Sequence, residues 1–299
     1  MNIQSNLHKP VLLNEVISAL SICDNGIYID CTFGAGGHSK AILNHNSSVC
    51  LYAFDRDESV CDIASSFDSI YKGRYKFYNN KFSDIYNVLR DEGVNSVDGV
   101  LFDIGFSSMQ IDNPERGFSF MKDGPLLMTM GKNDITAYDV VNYWSKNSLK
   151  EIFVLYGDES PRNAEKIAEM IINERKKKKI STTFHLSEII STALNFKKNK
   201  KIHKATLSFQ AIRTVVNNEL YELEHGITSA MQLLRIGAPL IIISFQGIED
   251  IIIKKKFREL KKNEECYFEN KGKPIFPSED EIFLNPRARS AKLRCIYKK

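Results

Sequence analysis

The feature that most constrains this chain is a glycine-dense decapeptide, Asp30-Cys-Thr-Phe-Gly-Ala-Gly-Gly-His-Ser39, between an apolar run and a helical pattern. Glycine has no Cβ and tolerates positive φ, so such a turn lets the backbone approach a ligand closely. The start of the helix that follows offers unpaired N–H groups and a partial positive charge. The decapeptide therefore predicts the nucleotide-binding turn of a doubly wound α/β domain.

The spacing of the glycines indicates which nucleotide derivative the turn suits. The dinucleotide fingerprint G-x-G-x-x-G needs a third glycine where this chain has Ser39. The order D-x-x-x-G-x-G, with Asp30 four residues before Gly34, resembles instead the S-adenosylmethionine (SAM) motif of class I methyltransferases. A carboxylate there attracts a sulfonium or an amino group and repels a pyrophosphate. We favour SAM, with an NAD-dependent oxidoreductase as the less favoured alternative.

Composition limits the remaining possibilities. The chain is 43% hydrophobic and 26% charged, as is typical of a soluble globular protein. No apolar run approaches the roughly 20 residues that span a bilayer, and the polar N-terminus lacks a signal-peptide core. We therefore expect a cytoplasmic protein with no membrane segment. Six cysteines in no metal-binding spacing predict reduced thiols and no metal site.

Basic residues are unevenly distributed, although the formal net charge is only +4. They concentrate in residues 175–179, 197–204, 254–262 and 287–299. A single lysine run is often no more than a solvated face. Together the four favour a polyanionic partner.

Strand and helix patterns alternate over the first hundred residues, which predicts a parallel sheet covered on both faces. Strands are expected at 26–30, 49–55, 75–79 and 97–103, and helices at 39–44, 58–70 and 82–92. From about residue 112 the pattern becomes a loop (118–130) followed by helices, two of them capped by Thr136 and Ser148. The sheet resumes after a helix at 209–234, with strands at 238–245 and 292–297. We predict a domain of residues 1–111 and 210–299, interrupted by a helical substrate-recognition domain at 112–209.

Carboxylates end three of the predicted strands: Asp30, Asp55 and Asp103. Ligands of an open parallel sheet bind at the carboxyl ends of its strands. Asp55 follows Gly36 at the distance of a ribose-binding acid.

Other candidate site residues each leave two interpretations open. Phe82 stacks on an adenine or packs in the core, and His38 donates a hydrogen bond to a ligand or is structural. Gln246, Glu249 and Asp250 face the cleft or merely begin a helix.

Six segments, in order along the chain, resemble the MraW family of ribosomal RNA small subunit methyltransferases H. They are His8-Lys-Pro-Val-Leu-Leu-Asn-Glu15, Tyr28-Ile-Asp-Cys-Thr-Phe-Gly-Ala-Gly-Gly-His-Ser39, Asp103-Ile-Gly-Phe-Ser-Ser108, Glu115-Arg-Gly-Phe-Ser-Phe120, Phe209-Gln-Ala-Ile-Arg213 and Asn285-Pro-Arg-Ala-Arg-Ser-Ala-Lys-Leu-Arg294. The resemblance extends from about residue 8 to the C-terminus.

The resemblance implies an α/β, Rossmann-like class I SAM-dependent methyltransferase, with a doubly wound sheet and an inserted all-helical domain. It implies methyl transfer from SAM to N4 of cytosine 1402 in the decoding region of 16S rRNA, with the small ribosomal subunit as partner. The family's SAM contacts carry over to Gly36, Gly37, His38, Asp55, Phe82, Asp103 and Gln110.

The segment Asp103–Ser108 lies where class I methyltransferases place the acceptor, but it lacks the [DN]-P-P-[FYW] motif of many amine methyltransferases. Our hypothesis is that Asp103 accepts a hydrogen bond from the cytosine amine. The Ser107 and Ser108 hydroxyls, or backbone carbonyls near them, are the second candidates.

Several positions depart from the family pattern on the expected acceptor side. They are Leu127, Thr129, Lys204, Leu207, Gln246, Gly247 and Ile251. Those at Leu127, Thr129, Gln246 and Gly247 motivate an alternative, a degenerate methyltransferase that binds SAM and rRNA during small-subunit assembly. The oligomeric state stays open, with a homodimer as one alternative.

Overall fold

The computed structural model describes residues 10–195, 203, 205–269 and 272–299. The chain divides into two compact units, one of Met1–Gly105 with Leu220–Lys299 and one of Phe106–Glu219. The second unit is thus an insertion in the first, and it begins six residues before and ends ten residues after the limits of 112 and 209 expected from the sequence. Its role in substrate recognition stays a prediction.

The described residues of the first unit form a seven-stranded sheet. In chain order its strands are β1 (Ile27–Asp30), β2 (Cys50–Phe54), β3 (Tyr75–Tyr78), β4 (Gly99–Asp103), β5 (Pro239–Ser244), β6 (Cys266–Tyr267) and β7 (Lys292–Lys298). Their order across the sheet is β3-β2-β1-β4-β5-β7-β6. Strands β1 to β5 pair in parallel, while β7 runs antiparallel to both β5 and β6. The carboxyl ends of β1, β2 and β4 therefore meet at one edge, where Asp30 pairs in register with Ala53 and Leu101.

The helices follow in chain order. They are α1 (Leu13–Leu20), α2 (Gly37–His45), α3 (Cys61–Ile70), α4 (Ile85–Asp91), α5 (Ser108–Asp112), α6 (Ala137–Tyr143), α7 (Lys146–Leu155), α8 (Pro161–Lys177), α9 (Thr183–Ala193), α10 (Ala205–Val216), α11 (Glu219–Leu233), α12 (Gly247–Lys262) and α13 (Glu279–Leu284). None of the described helices is long and apolar enough to cross a membrane.

Helices cover both faces of the sheet, as its apolar strands require. On one face Ile29, Phe102 and Ile242 share a buried core with side chains of α4, α11 and α12. On the opposite face Leu20 of α1 packs beside Tyr28. Both side chains lie so close to Gly99 that a Cβ on that residue would not fit. The doubly wound sheet and the order of strands and helices over the first hundred residues are therefore confirmed.

The second unit has its own helical core, built from Val140, Phe153, Ile167, Ile190 and Ile212 among others. Thr136 caps α6 as expected, because its side chain accepts a hydrogen bond from the Asp139 N–H and the Asp139 carboxylate accepts one from the Thr136 N–H. The cap assigned to Ser148 is wrong, since Ser145 caps α7 and the Ser148 N–H donates to it.

The single helix expected at 209–234 is also wrong. It is two helices, α10 and α11, separated at Asn217 and Asn218, and Asn218 has a left-handed φ of 51°. Helix α10 packs into the core of the second unit through Phe209 and Ile212, which is why that unit continues to Glu219. Apolar periodicity continues across the break, so the sequence pattern did not reveal it.

Candidate cofactor site and neighbouring loops

A buried carboxylate organises the turn after β1. Asp30 is 1% exposed. Its Oδ1 accepts a hydrogen bond from the Thr32 N–H at 3.1 Å, and its Oδ2 accepts one from the Ser39 hydroxyl at 2.6 Å. Burial raises the pKa of Asp30, while His38 and these hydrogen bonds favour the ionised form. Asp30 thus braces the loop from inside, and Ser39, which replaces the third glycine of the dinucleotide fingerprint, is its partner.

Two glycines of the turn occupy positions where a side chain would not fit. Gly36 has φ of 75°, and a Cβ there would lie 2.5 Å from the Phe67 ring. A Cβ on Gly37, the first residue of α2, would lie 2.5 Å from Pro10. The turn therefore packs closely against Phe67 and Pro10 on one side. Its backbone on the other side is left to contact a ligand.

His38 and Asp103 meet at the edge formed by the ends of β1 and β4. His38 is 5% exposed, and its Nε2 lies 3.4 Å from Asp103 Oδ2. The Asp103 N–H donates to the Thr32 hydroxyl at 2.7 Å, which ties the end of β4 to the turn. Within the described residues neither ring nitrogen of His38 has a hydrogen-bond partner, nor has Asp103 Oδ1. Buried polar atoms in this condition indicate a place for a ligand.

Asp55 ends β2 beside the same turn. Its Oδ2 accepts from the Gly34 N–H at 2.8 Å and its Oδ1 from the Asp57 N–H at 2.9 Å. Burial raises the pKa of Asp55 to about 6, although both N–H donors oppose the shift. The carboxylate links the ends of β1 and β2.

Phe82 follows β3 and is partly buried. Its ring packs edge to face on Phe102, with the ring centroids 5.3 Å apart. Gly226 of α11 makes this packing possible, because a Cβ there would lie 2.6 Å from the Phe82 ring. One turn earlier on α11, Glu222 is 3% exposed and lies 3.5 Å from Lys81. Neither Gly226 nor Glu222 was expected from the sequence, where both read as ordinary positions of a helix.

The remaining predicted site residues belong to the second unit. The Ser107 hydroxyl accepts from the Gln110 N–H at 3.2 Å, and Gln110 Oε1 accepts from the Ser107 N–H at 2.9 Å. This is a capping box at the start of α5. Ser108 begins α5, and its side chain lies outside the described part of the structure. Within its own unit, Ser107 thus has a structural task that the sequence did not suggest.

A long-range hydrogen-bond network holds the loop before α6. Asn217 is fully buried and accepts from the Met130 N–H at 2.7 Å and from Asn133 Nδ2 at 2.9 Å. It donates to the Met128 carbonyl at 2.7 Å and the Arg213 carbonyl at 2.9 Å. The loop is also tight at Gly117, where a Cβ would lie 2.1 Å from the Pro125 carbonyl oxygen.

Arg213, the last residue of one family-like segment, lies beside this network. It forms two hydrogen bonds to Glu219, at 2.7 and 2.8 Å, and its guanidinium lies 4.9 Å from the centre of the Phe106 ring. Two charges buried together in this bidentate geometry are costly to separate.

Gln246 is the N-cap of α12, and Glu249 and Asp250 lie in its first turn. Glu249 accepts from the backbone N–H groups of Phe245 and Gln246. Asp250 lies 2.6 Å from Arg294, and Arg294 lowers the pKa of its carboxyl. Both acids are buried and hold the helix in place, rather than lying at the surface.

The positions that depart from the family pattern are mostly accommodated without strain. Leu127 is half exposed, and the Thr129 carbonyl accepts from Arg116. Gly247 has open space around it, and Ile251 is exposed. Lys204 lies outside the described residues, as does most of the basic run 197–204.

The residues at the sheet edge suit SAM chemically. Unpartnered carboxylate and imidazole atoms fit a ligand with an amino group and hydroxyls, and a turn with little room for side chains fits a close backbone approach. Among the described residues no group of histidine, cysteine or acidic side chains could hold a metal ion.

The strand order, the antiparallel β7 and the glycine turn after β1 together define a class I SAM-dependent methyltransferase. The chain belongs to the MraW methylase family, whose sequence model matches residues 5–299. The cofactor of this methyltransferase is S-adenosylmethionine.

Relatives match the chain at nearly full length. The chain is 46% identical to ribosomal RNA small subunit methyltransferase H of Ehrlichia canis (strain Jake), over 98% of this chain and 100% of that protein. It is 45% identical to the protein of the same name from Wolbachia sp. subsp. Drosophila simulans (strain wRi), over 97% and 99% respectively. A solved rRNA methylase of Streptococcus thermophilus covers 100% of this chain and 99% of its own, at 10% identity and a TM-score of 0.45. That structural likeness is too distant to support a functional argument.

Proposed function

We propose that this methyltransferase modifies 16S rRNA of the small ribosomal subunit, at N4 of cytosine 1402 in the decoding region. Membership of the MraW family and the names of the full-length relatives support rRNA methylation. The choice of base and nucleotide rests on the family resemblance. The observation that carries the proposal is the pair of buried His38 and partly exposed Asp103, with unpartnered polar atoms at the carboxyl edge of the sheet.

Different residues of the first unit would contact different parts of the cofactor, according to their chemistry. The glycine turn and the start of α2, with Gly36 and Gly37, would hold the amino-acid end of the cofactor through backbone groups. Asp55 would accept hydrogen bonds from ribose hydroxyls. Phe82, fixed against Phe102, would cover the adenine. Gln110 joins this set by resemblance, and its amide oxygen already caps α5.

Bound SAM supplies a methyl group on an electrophilic sulfonium. The residues of the chain must then turn a weakly nucleophilic amine toward that carbon, because conjugation with the ring withdraws its lone pair. Asp103 Oδ1 would accept one N–H of the amine, orient the lone pair and stabilise the positive charge that develops on nitrogen. The Ser107 and Ser108 hydroxyls remain the second candidates. The base must leave its stack to reach such a pocket.

The decisive experiment is methyl transfer from labelled SAM to small ribosomal subunits that lack this modification, followed by nucleoside mass spectrometry of the digested rRNA. We expect N4-methylcytidine at position 1402. Bound cofactor with no methylated nucleoside, on subunits and on free rRNA alike, would favour the binding-protein alternative.

The role of Asp103 is tested with Asp103→Ala in a single-turnover assay at saturating SAM. We expect the rate to fall by about 100-fold or more, as is typical when a group that stabilises developing charge is removed. Asp91→Ala, which removes an exposed carboxylate from α4, is the control and should leave the rate unchanged. A near wild-type rate in Asp103→Ala would overturn the assignment.

A further inference from the structure

Helix α12 carries a stripe of cations with no partner in the protein. Lys255, Arg258 and Lys262 are exposed and make no ion pair or hydrogen bond within the described residues. At 3.6 residues per turn, positions 251, 255, 258 and 262 fall on one face of the helix. The three charges therefore lie in a line about 10 Å long. The exposed side chain of Ile251 lies at the end of this line that is nearer the N-terminus of α12.

The opposite side of α12 explains why this stripe faces solvent. Ile253, Phe257 and Leu260 are buried in the core of the first unit. Lys254, on an adjacent row, pairs with Asp250 at 3.4 Å. Packing thus occupies the side of α12 opposite the line, and pairing occupies Lys254, whereas Lys255, Arg258 and Lys262 project from the exposed side with no such role.

The basic run at the end of α8 behaves differently. Arg175 donates to the Val141 carbonyl at 2.9 Å, and Lys177 pairs with Glu174 at 2.7 Å. The Lys179 ammonium lies 4.2 Å from the centre of the Tyr143 ring. Most of that run is committed to its own unit, whereas the stripe on α12 is not.

We propose that the line of Lys255, Arg258 and Lys262 is a docking surface for the phosphate backbone of the RNA substrate. The proposal rests on the proposed function and names a part of the protein that holds the RNA. Evenly spaced, unpaired cations on a rigid helix suit a regular polyanion, and each phosphate contact releases condensed counterions. The contacts carry no sequence information, so they add affinity and orientation.

The test measures the affinity of the full-length protein for a fluorescently labelled fragment of the 16S rRNA decoding region, without cofactor and over a range of salt concentrations. The variant is Lys255→Gln/Arg258→Gln/Lys262→Gln. The matched control is Lys176→Gln/Lys177→Gln/Lys178→Gln, which removes the same charge from the end of α8. Thermal unfolding and binding of S-adenosylhomocysteine show that each variant is folded.

We expect the α12 variant to bind RNA at least about tenfold more weakly at low salt, and the slope of log affinity against log salt to fall by about two to three. The control should retain most of the affinity. Ile251→Arg, which extends the line by one charge, should tighten binding about threefold and steepen the slope by about one. All these changes are expected to be the same for an unrelated RNA of equal length.

Equal losses in the α12 variant and the α8 control would show that net charge alone sets the affinity, and would overturn the proposal. Unchanged RNA binding in the α12 variant would also overturn the proposal. If that variant at the same time lost binding to vesicles that contain phosphatidylglycerol, the surface would be one for a membrane. Because RNA binding is measured without methyl transfer, failure of this surface and failure of the proposed function are distinguishable.

Discussion

Each unit fixes an irregular loop with one buried polar side chain, but over very different distances along the chain. In the first unit Asp30 holds the glycine turn through Thr32 and Ser39, two and nine residues away. In the second unit Asn217 holds the loop before α6 through the Met130 N–H and the Met128 carbonyl, 87 and 89 residues away. The turn is therefore a local structure, whereas the loop depends on the completed fold of its unit.

This difference should appear in what happens to ligand binding and to stability when each bracing side chain is removed. A local brace can be lost while the surrounding sheet stays folded, so the main effect is on ligand binding. A long-range brace joins a helix end to a distant loop, so its loss weakens the unit as a whole. The predictions that follow test this contrast, from the largest expected effect to the smallest.

Replacing Asn217 with alanine should destabilise the protein by about 3 kcal/mol, because the Met130 N–H and the Met128 carbonyl lose their partner in a buried site. Chemical denaturation monitored by fluorescence of Trp144 measures the change. Asn218→Gly is the control, since Asn218 is exposed with a left-handed φ of 51° that glycine also adopts. A loss smaller than about 1 kcal/mol in Asn217→Ala would contradict the long-range brace.

Replacing Asp30 with alanine should weaken S-adenosylhomocysteine binding by at least tenfold and cost about 2 kcal/mol of stability, because the Thr32 N–H and the Ser39 hydroxyl lose their acceptor. Asp30→Asn should recover most of the affinity, since an amide can accept from Thr32 and donate to Ser39. Isothermal titration calorimetry on both variants is the measurement. If asparagine failed as badly as alanine, the charge and not the brace would be what matters.

Gly226→Ala should displace Phe82, because the new Cβ would lie 2.6 Å from its ring. Overpacking of this kind costs about 1–3 kcal/mol, partly offset by the higher helix propensity of alanine. We expect a net loss of about 1 kcal/mol and several-fold weaker cofactor binding. Gly247→Ala on α12 is the matched control, since open space surrounds that glycine, and it should be neutral or slightly stabilising. Unchanged cofactor binding in Gly226→Ala would contradict the proposal that Phe82 contacts the cofactor.

Asp55 should make both stability and cofactor binding depend on pH. Its folded pKa, about 6, lies above the ordinary value of 3.8 because the carboxyl is buried. The folded protein therefore retains a proton that the unfolded chain has lost, and wild-type stability falls relative to Asp55→Asn as the pH rises from about 4 to 6. Because the residue as a whole is partly exposed, solvent screening reduces the effect, and we expect a difference of about 1 kcal/mol or less.

Cofactor binding should change in the opposite direction, because the ionised carboxylate is the better acceptor for hydroxyl donors. Affinity for S-adenosylhomocysteine should rise between pH 5 and 7 in the wild type and stay flat in Asp55→Asn. Calorimetry across this range is the measurement. A parallel rise in both proteins would assign the titration to another group.

The sequence predicted the local features well because their causes lie within a few residues. The alternation of strands and helices, the turn at Asp30, and the cap at Thr136 are of this kind. The errors have physical causes too. Two serines three residues apart give the same local signal, so the sequence does not distinguish Ser145 from Ser148 as the cap of α7. The break between α10 and α11 gives no signal in the sequence pattern, because apolar residues continue on both sides of it.

The sequence by itself determined the class of fold, the position of the nucleotide turn and the family, since glycine spacing and apolar periodicity act through short-range sterics and burial. Only the tertiary structure decided which polar groups meet. It brought His38 to Asp103, placed Gly226 against Phe82 and joined Asn217 to the loop at Met130. It also showed which cations of α12 find no partner. These pairings depend on contacts between distant segments, whose geometry is fixed only when the core of each unit has packed.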